Sequence, residues 1–287
     1  MRALIIRQLL AIAVTVILGG LLCAIFVRVA PGFDVDIQQL DSRLSAQTLE
    51  ALRAKRQSSR NIFAFYGQYI RNAVHGDFGK SLVSDHSVRG LIAERLPATV
   101  RVAGGGLALA WLAAFSLAMW VMVLRSRAAD IFAMSAASLF LALPAAVIGL
   151  ACVVADAPPL LAIAAIVSAR LFPYIRGVLT RTGNMPHVLA ARARGTGELR
   201  ILFLHVLPVA AQPLLAIIGI SVAIALGADL PVEALCGIPG IGQLAWQAAL
   251  GRDLPVIVTL TVLVTIITVT LNSACDVAAE AVRGQHA

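Results

Sequence analysis

The chain has 287 residues, 60% of them hydrophobic and 13% charged, with a mean hydropathy of +0.89 and a formal net charge of +8. Soluble domains carry roughly 45–50% apolar and about 25% charged residues, so this balance excludes an ordinary water-soluble domain and points to a bilayer as solvent. The arginines fall between apolar stretches, with no basic stripe interleaved with aromatics, which excludes a nucleic-acid surface and assigns the positive charge to membrane topology.

Arg2 and Arg7 precede the charge-free run Leu9 to Val27. That run is longer than the roughly 7–15 apolar residues of a secretory signal, and Leu21-Leu22 before Cys23 lacks the small residues of a lipoprotein cleavage site, so it reads as a retained anchor. The segment that follows is charged. Within it Ser45 to Gln57 has helical composition behind a serine N-cap, and Ile62, Phe63, Tyr66, Tyr69, Ile70 and Val74 recur at near-helical spacing. These predict amphipathic helices, lying at the membrane surface with their rings at headgroup level or packed against the bundle itself.

Four further charge-free runs follow: Val102 to Leu124, Ile131 to Ala155, Val206 to Ala228 and Leu254 to Cys275. Leu160 to Leu179, interrupted by Arg170, Pro173 and Arg176, must also cross if the loops are to obey the positive-inside rule. The expectation is an all-α polytopic bundle of six transmembrane helices, divided as an N-terminal span over 1–30, a periplasmic segment over 31–99, a five-helix core over 100–276 with a cytoplasmic loop at about 182–205, and a cytoplasmic tail over 277–287. Arg2, Arg7, Arg125, Arg127, Arg176, Arg181, Arg192, Arg194, Arg200 and Arg283 then share one side, and both termini are cytoplasmic.

Several features invite chemistry they do not support. The four cysteines are far apart and the five histidines lack ligand spacing, so no disulfide framework or metal site is indicated within the chain. Gly79-Lys80-Ser81 resembles the end of a phosphate loop, but Val74 stands where its first glycine belongs and no strand precedes it, so a turn is expected.

The most informative stretch is Leu189-Ala190-Ala191-Arg192-Ala193-Arg194-Gly195, continuing to Leu207-Pro208. Small residues make a compact helix that another surface can approach, Gly195 permits a sharp turn after it, and the arginines leave a basic exposed face. Such a helix suits insertion into a groove of a partner protein.

This stretch resembles the cytoplasmic signature of binding-protein-dependent ABC permeases: Glu-Ala-Ala, three residues, Gly, nine residues, Ile, any residue, Leu-Pro. Leu189 replaces the Glu and His205 the Ile, and Ala191-Arg192-Ala193-Arg194-Gly195 is similar to the Ala-Arg-Ala-Lys-Gly form of the dipeptide, oligopeptide and nickel permease branch. The likeness covers almost the whole chain. Arg28-Val29-Ala30-Pro31-Gly32, Gly76-Asp77-Phe78-Gly79-Lys80-Ser81-Leu82, Glu94-Arg95-Leu96-Pro97-Ala98-Thr99, Glu233 to Gly242 with its Gly237-Ile238-Pro239-Gly240-Ile241-Gly242 ending, and Arg252-Asp253-Leu254-Pro255 follow in the branch's order.

The resemblance implies a type I ABC importer permease fold in a bacterial inner membrane, importing peptides or a related solute such as nickel or a metal chelate. Leu189, Ala190, Ala191, Arg192, Ala193, Arg194 and Gly195 would form the coupling helix seated in a separate ATPase. Implied partners are a second homologous permease, two ATP-binding subunits that hold the ATP and Mg, and a periplasmic substrate-binding protein. The short link from Ala155 to Leu160 and the tail from Ala278 to Ala287 depart from the branch.

Arg170, Asp229 and Glu233 are candidates for the translocation path or its entrance, since ionisable residues at membrane depth mark function by default. Each has a structural alternative. Arg170 would pair with carbonyls at a break before Pro173 or with a partner subunit, and the two acids would be simply solvated. A stand-alone secondary transporter is the rival function, but neither internal repeats nor paired intramembrane acids are visible. An intramembrane enzyme is the third, and Ser221 lacks the flanking glycine of a nucleophile motif.

Overall fold

The computed structural model describes residues 2–29 and 62–284. The expected helix over Ser45 to Gln57 and the end of the Arg28 to Gly32 motif lie outside them. The described residues are almost wholly helical, and their packing separates two compact units: Met1–Arg95 with Leu244–Ile266, and Leu96–Gln243 with Ile267–Ala287.

In the first unit, α1 (Arg2–Val29) packs against α2 (Ile62–Val74). Tyr66 and Tyr69 of α2 are buried in a cluster with Ala24, Leu254 and Val258. Tyr66 donates its hydroxyl to the Ile17 carbonyl at 2.8 Å, and Tyr69 donates to Thr259 Oγ1 at 3.1 Å. These two rings therefore pack on the protein's own helices rather than lying at headgroup level. A Cβ at Gly20 would run into Tyr66, so close passage of the ring requires glycine there.

The second unit is built around α7 (Pro159–Gly183). Packed on it are α4 (Gly105–Leu124), α5 (Arg127–Ala142), α6 (Ala145–Val154) and α10 (Leu207–Cys236). Ala110, Ala114 and Ala118 recur every fourth residue on α4 and are buried. A Cβ on Gly106 would stand 2.7 Å from Ile163 Cβ. Small residues thus bring helices together, while Leu112, Phe132 and Val154 are 65%, 75% and 81% exposed. Alanine inside and large side chains outside is the arrangement of a protein whose solvent is lipid, where close backbone packing drives association.

Among the described residues, four helices are long and apolar enough to span a membrane: Val88–Leu124, Pro159–Gly183, Glu198–Cys236 and Leu254–Ala281. The first joins α3 (Val88–Thr99) to α4 through a π-helical turn at Val100–Gly104. The third joins α9 (Glu198–Ile201) to α10 through a second such turn at Leu202–Val206, directly before Pro208, whose missing N–H breaks the regular ladder. The remaining helices are α8 (Pro186–Ala193), α11 (Ile241–Gly251) and α12 (Leu254–Gly284). In α1 the described apolar stretch Ala13–Phe26 is shorter than a full span.

Two expectations about the spans need correction. The run Ile131 to Ala155 is not one straight helix: α5 and α6 meet at 93°. Pro144 has no N–H and holds Leu143 extended at φ −82°, ψ 129°, which ends the first helix. Conversely α7 is continuous through Pro173, so there is no break there for Arg170 to satisfy.

Candidate functional site

The loop helix α8 begins at Pro186, whose fixed φ suits the first helical position. It ends where Gly195 turns left-handed at φ +79°, its N–H bonded to the Arg192 carbonyl at 2.9 Å. A Cβ on Gly195 would meet nothing within 4 Å, so the requirement for glycine is conformational rather than steric. Val188 and Ala191 face the protein at 0% and 1% exposure, whereas Leu189, Ala190, Ala193, Arg194 and Gly195 are exposed.

Arg192 does not join that exposed face. Its Nε and Nη2 donate to Glu198 Oε1 and Oε2 at 2.9 and 3.1 Å, and Arg125 Nη1 reaches the same carboxylate at 3.1 Å. Glu198 thereby ties α8 to the corner between α4 and α5. Beside it, Arg176 of α7 grips Asp130 in the first turn of α5 through two parallel bonds. An open cavity of about 310 Å³ touches Arg125, Asp130, Arg176 and Arg192. Water reaches both pairs, so each contributes about 0–1 kcal/mol to stability, and their main effect is to fix orientation.

The second group of polar residues lies in α10. Glu233 is fully buried, not solvated. Its Oε1 accepts from Thr99 Oγ1 at 2.7 Å and its Oε2 from the Gly242 amide at 2.6 Å, while Thr99 Oγ1 accepts from the Ile241 amide at 2.7 Å. The carboxylate caps the N-terminus of α11, where free amides and the helix dipole favour negative charge. A Cβ on Gly240 would collide with this carboxylate, and one on Gly242 would stand 2.8 Å from Leu230 Cα. Asp229, one turn before Glu233, is 2% exposed, and its Oδ1 has no partner among the described residues.

In the first unit the Gly76 to Leu82 stretch meets Arg252 to Pro255 in the same manner. Ser81, 3% exposed, donates to Asp253 Oδ2 at 2.5 Å. Two pairs of sequence motifs thus close on each other as buried clamps.

Arg170 stands eleven residues after Pro159 and thirteen before Gly183, roughly 16 and 20 Å from the ends of α7 at 1.5 Å per residue. It is exposed and has no hydrogen-bond or ion-pair partner among the described residues. A charged side chain facing lipid at that depth costs about 2.5–3.5 kcal/mol on insertion scales.

Glu198 and Tyr174 were not singled out by motif or spacing, Thr99 entered only as the end of the Glu94 to Thr99 motif, and Arg125 only as a topology charge. The available signals were an acid six residues after Arg192 and a hydroxyl at the mouth of a span. Ser221, the hydroxyl considered for a nucleophile, is fully buried, donates to the Ile218 carbonyl and accepts from Trp111 Nε1 at 2.9 Å.

Residues 106–283 match the family of binding-protein-dependent transport system inner membrane components. The chain is also similar to the glutathione transport system permease protein GsiC of Escherichia coli strain K12, 27% identical over 293 residues and covering 95% of both chains. The GsiC protein of Shigella boydii serotype 4 is 26% identical over the same coverage. A helical membrane bundle with small residues at its helix contacts, and a family match over more than half its length, place the conclusion beyond fold: the chain belongs to the binding-protein-dependent transport system inner membrane components, a family of multi-pass ABC transporter permeases that are transport subunits rather than enzymes.

Proposed function

We propose that this chain forms half of the translocation pathway of an ATP-driven importer for peptides or a related small solute, with glutathione, the solute in the relatives' names, inside that class and nickel or a metal chelate as further members. Hydrolysis of ATP with Mg takes place in two separate ATP-binding subunits. A second, homologous permease completes the pathway, and a periplasmic binding protein delivers the solute. Both termini are cytoplasmic in this reading.

The observation that carries it is the two-sidedness of α8. One side, Val188 and Ala191, is buried, and Arg192 is locked to Glu198, while Leu189, Ala190, Ala193, Arg194 and Gly195 remain uncovered. A helix anchored on one face, with alanines and a glycine beside a leucine and an arginine on the other, fits a cleft in a second protein and transmits its movement to the bundle. The lock runs through Glu198 to the start of the Glu198–Cys236 span, so a push on α8 reaches a membrane helix directly.

The test is a cysteine at Ala190 in a chain whose native cysteines are replaced, with a thiol-thiol cross-linker applied to membranes holding the assembled importer. The expected product joins this chain to an ATP-binding subunit. Modification of that cysteine only from the periplasmic side, or purification of the importer without ATP-binding subunits, would overturn the assignment.

A further inference from the structure

We infer that the outward face of α7 at Arg170, Tyr174, Gly177 and Arg181 lines a water-filled solute path, with Arg170 as the cation that receives a carboxylate or other anionic group of the solute. The inference rests on the importer reading and adds to it the face that meets the solute and the charge of the group bound there.

The four positions are separated by four, three and four residues, which places them on one line along the helix. Arg170 and Arg181 are exposed, and Tyr174 is 61% exposed. Gly177 leaves open space, since a Cβ there would meet nothing within 4 Å. Further up the same side of α7, Ile163, Ile166 and Val167 are buried, so the polar stripe begins where apolar packing within the unit ends. No side-chain hydrogen bond or ion pair to Arg170, Tyr174 or Arg181 occurs among the described residues.

Lipid does not explain this stripe. Strongly exposed positions elsewhere in the unit include the apolar Leu112, Phe132 and Val154, as expected of a lipid-facing surface. Two guanidinium groups and a phenol belong on a surface that meets water or protein. Between those two, the charges favour water and solute. Both are positive, they are roughly 16 Å apart along the axis, and the gap at Gly177 lies between them, which makes a ladder of one sign rather than a single closed pair. Arginines lining a path raise the local concentration of anions and exclude cations. A dipeptide carboxylate, the carboxylates of glutathione and an anionic chelate share the chemistry such a ladder recognises.

The experiment uses the assembled importer in membranes, with Cys23, Cys152, Cys236 and Cys275 replaced and a single cysteine at Tyr174, Arg181, Leu112 or Phe132. Each variant is reacted with membrane-impermeant anionic and cationic methanethiosulfonates. Expected is reaction at Tyr174→Cys and Arg181→Cys, with Leu112→Cys and Phe132→Cys inert. At Tyr174→Cys the anionic reagent should react about fivefold or more faster than the cationic one. That preference should vanish with Arg170→Gln and persist with Arg170→Lys, which also controls for folding.

Protection of Tyr174→Cys, as at the two control sites, would overturn the path, and disulfide formation from it to the second permease would assign the face to a subunit interface instead. Reaction without charge preference, or a preference indifferent to Arg170→Gln, would overturn the anion-receiving role. The importer reading itself fails separately, on the cross-link from α8.

Discussion

Thr99 and Glu233, 134 positions apart in the chain, share a buried hydrogen bond of 2.7 Å, and the same threonine oxygen accepts the Ile241 amide. One hydroxyl therefore serves a span end, a carboxylate and the first turn of α11. Thr99→Val leaves buried groups without partners, which costs about 1–3 kcal/mol. Thermal unfolding in detergent, followed by size-exclusion chromatography, should show a lowered midpoint for Thr99→Val and a nearly unchanged one for Thr99→Ser.

Gly240 and Gly195 are both glycines at turns, yet they should respond differently to alanine. A Cβ at Gly240 enters the space of the Glu233 carboxylate, whereas at Gly195 it meets nothing and only the left-handed φ is strained. Gly195→Ala should cost about 1–2 kcal/mol and leave the protein in the membrane. Gly240→Ala should reduce the amount of folded protein recovered by several-fold; equal recovery of the two variants would contradict the packing described.

Glu198→Gln removes the charge that holds Arg192 and Arg125 but keeps the shape of the side chain. Because the site is open to water, the unfolding midpoint should move little, by about 0–1 kcal/mol. Solute uptake should fall several-fold, as α8 loses its fixed angle. Arg192→Lys should act in the same direction, since an ammonium group cannot reproduce the two-pronged contact. Uptake that tracks stability alone in these variants would remove the orienting role.

Gly195→Trp should uncouple ATP hydrolysis from uptake while membrane insertion is retained. The measurement is ATPase activity and uptake in the same vesicles. Normal uptake by this variant would contradict the seating of α8 in a motor subunit.

Asp253 accepts from Ser81 and from the Val256 amide in the first turn of α12. Asp253→Ala should therefore be more damaging than Ser81→Ala, because it removes a helix cap, worth about 1 kcal/mol, as well as the buried bond. Protease resistance of the membrane-embedded protein provides the comparison.

The apolar runs were legible because a bilayer imposes a length and a composition on whatever crosses it. What composition could not show was direction. Pro144 is one proline among apolar residues, and only its effect on Leu143 turns a 25-residue run into two helices at 93°. The loop motif at Leu189 to Gly195 was legible in its small residues and its glycine, but Arg192 reads as surface charge until Glu198 is placed beside it. Glu233 was open to two readings, an entrance residue or a solvated acid, for the same reason: the hydroxyl it bonds in the interior lies 134 positions earlier. Arg170 was visible from the start as a charge in an apolar helix. Its exposure, and its alignment with Tyr174 and Arg181, required the helix to be continuous through Pro173.

The Thr99 clamp also imposes an order on biogenesis. A ribosome delivers Thr99 long before it delivers Glu233, and Gly242 emerges later still. During that interval the threonine hydroxyl can turn to a carbonyl of its own helix or to water, and the bond to Glu233 that holds this end of the span has yet to form. The clamp therefore closes only once translation has passed Gly242, and nascent chains halted before that point should be degraded more readily than full-length ones.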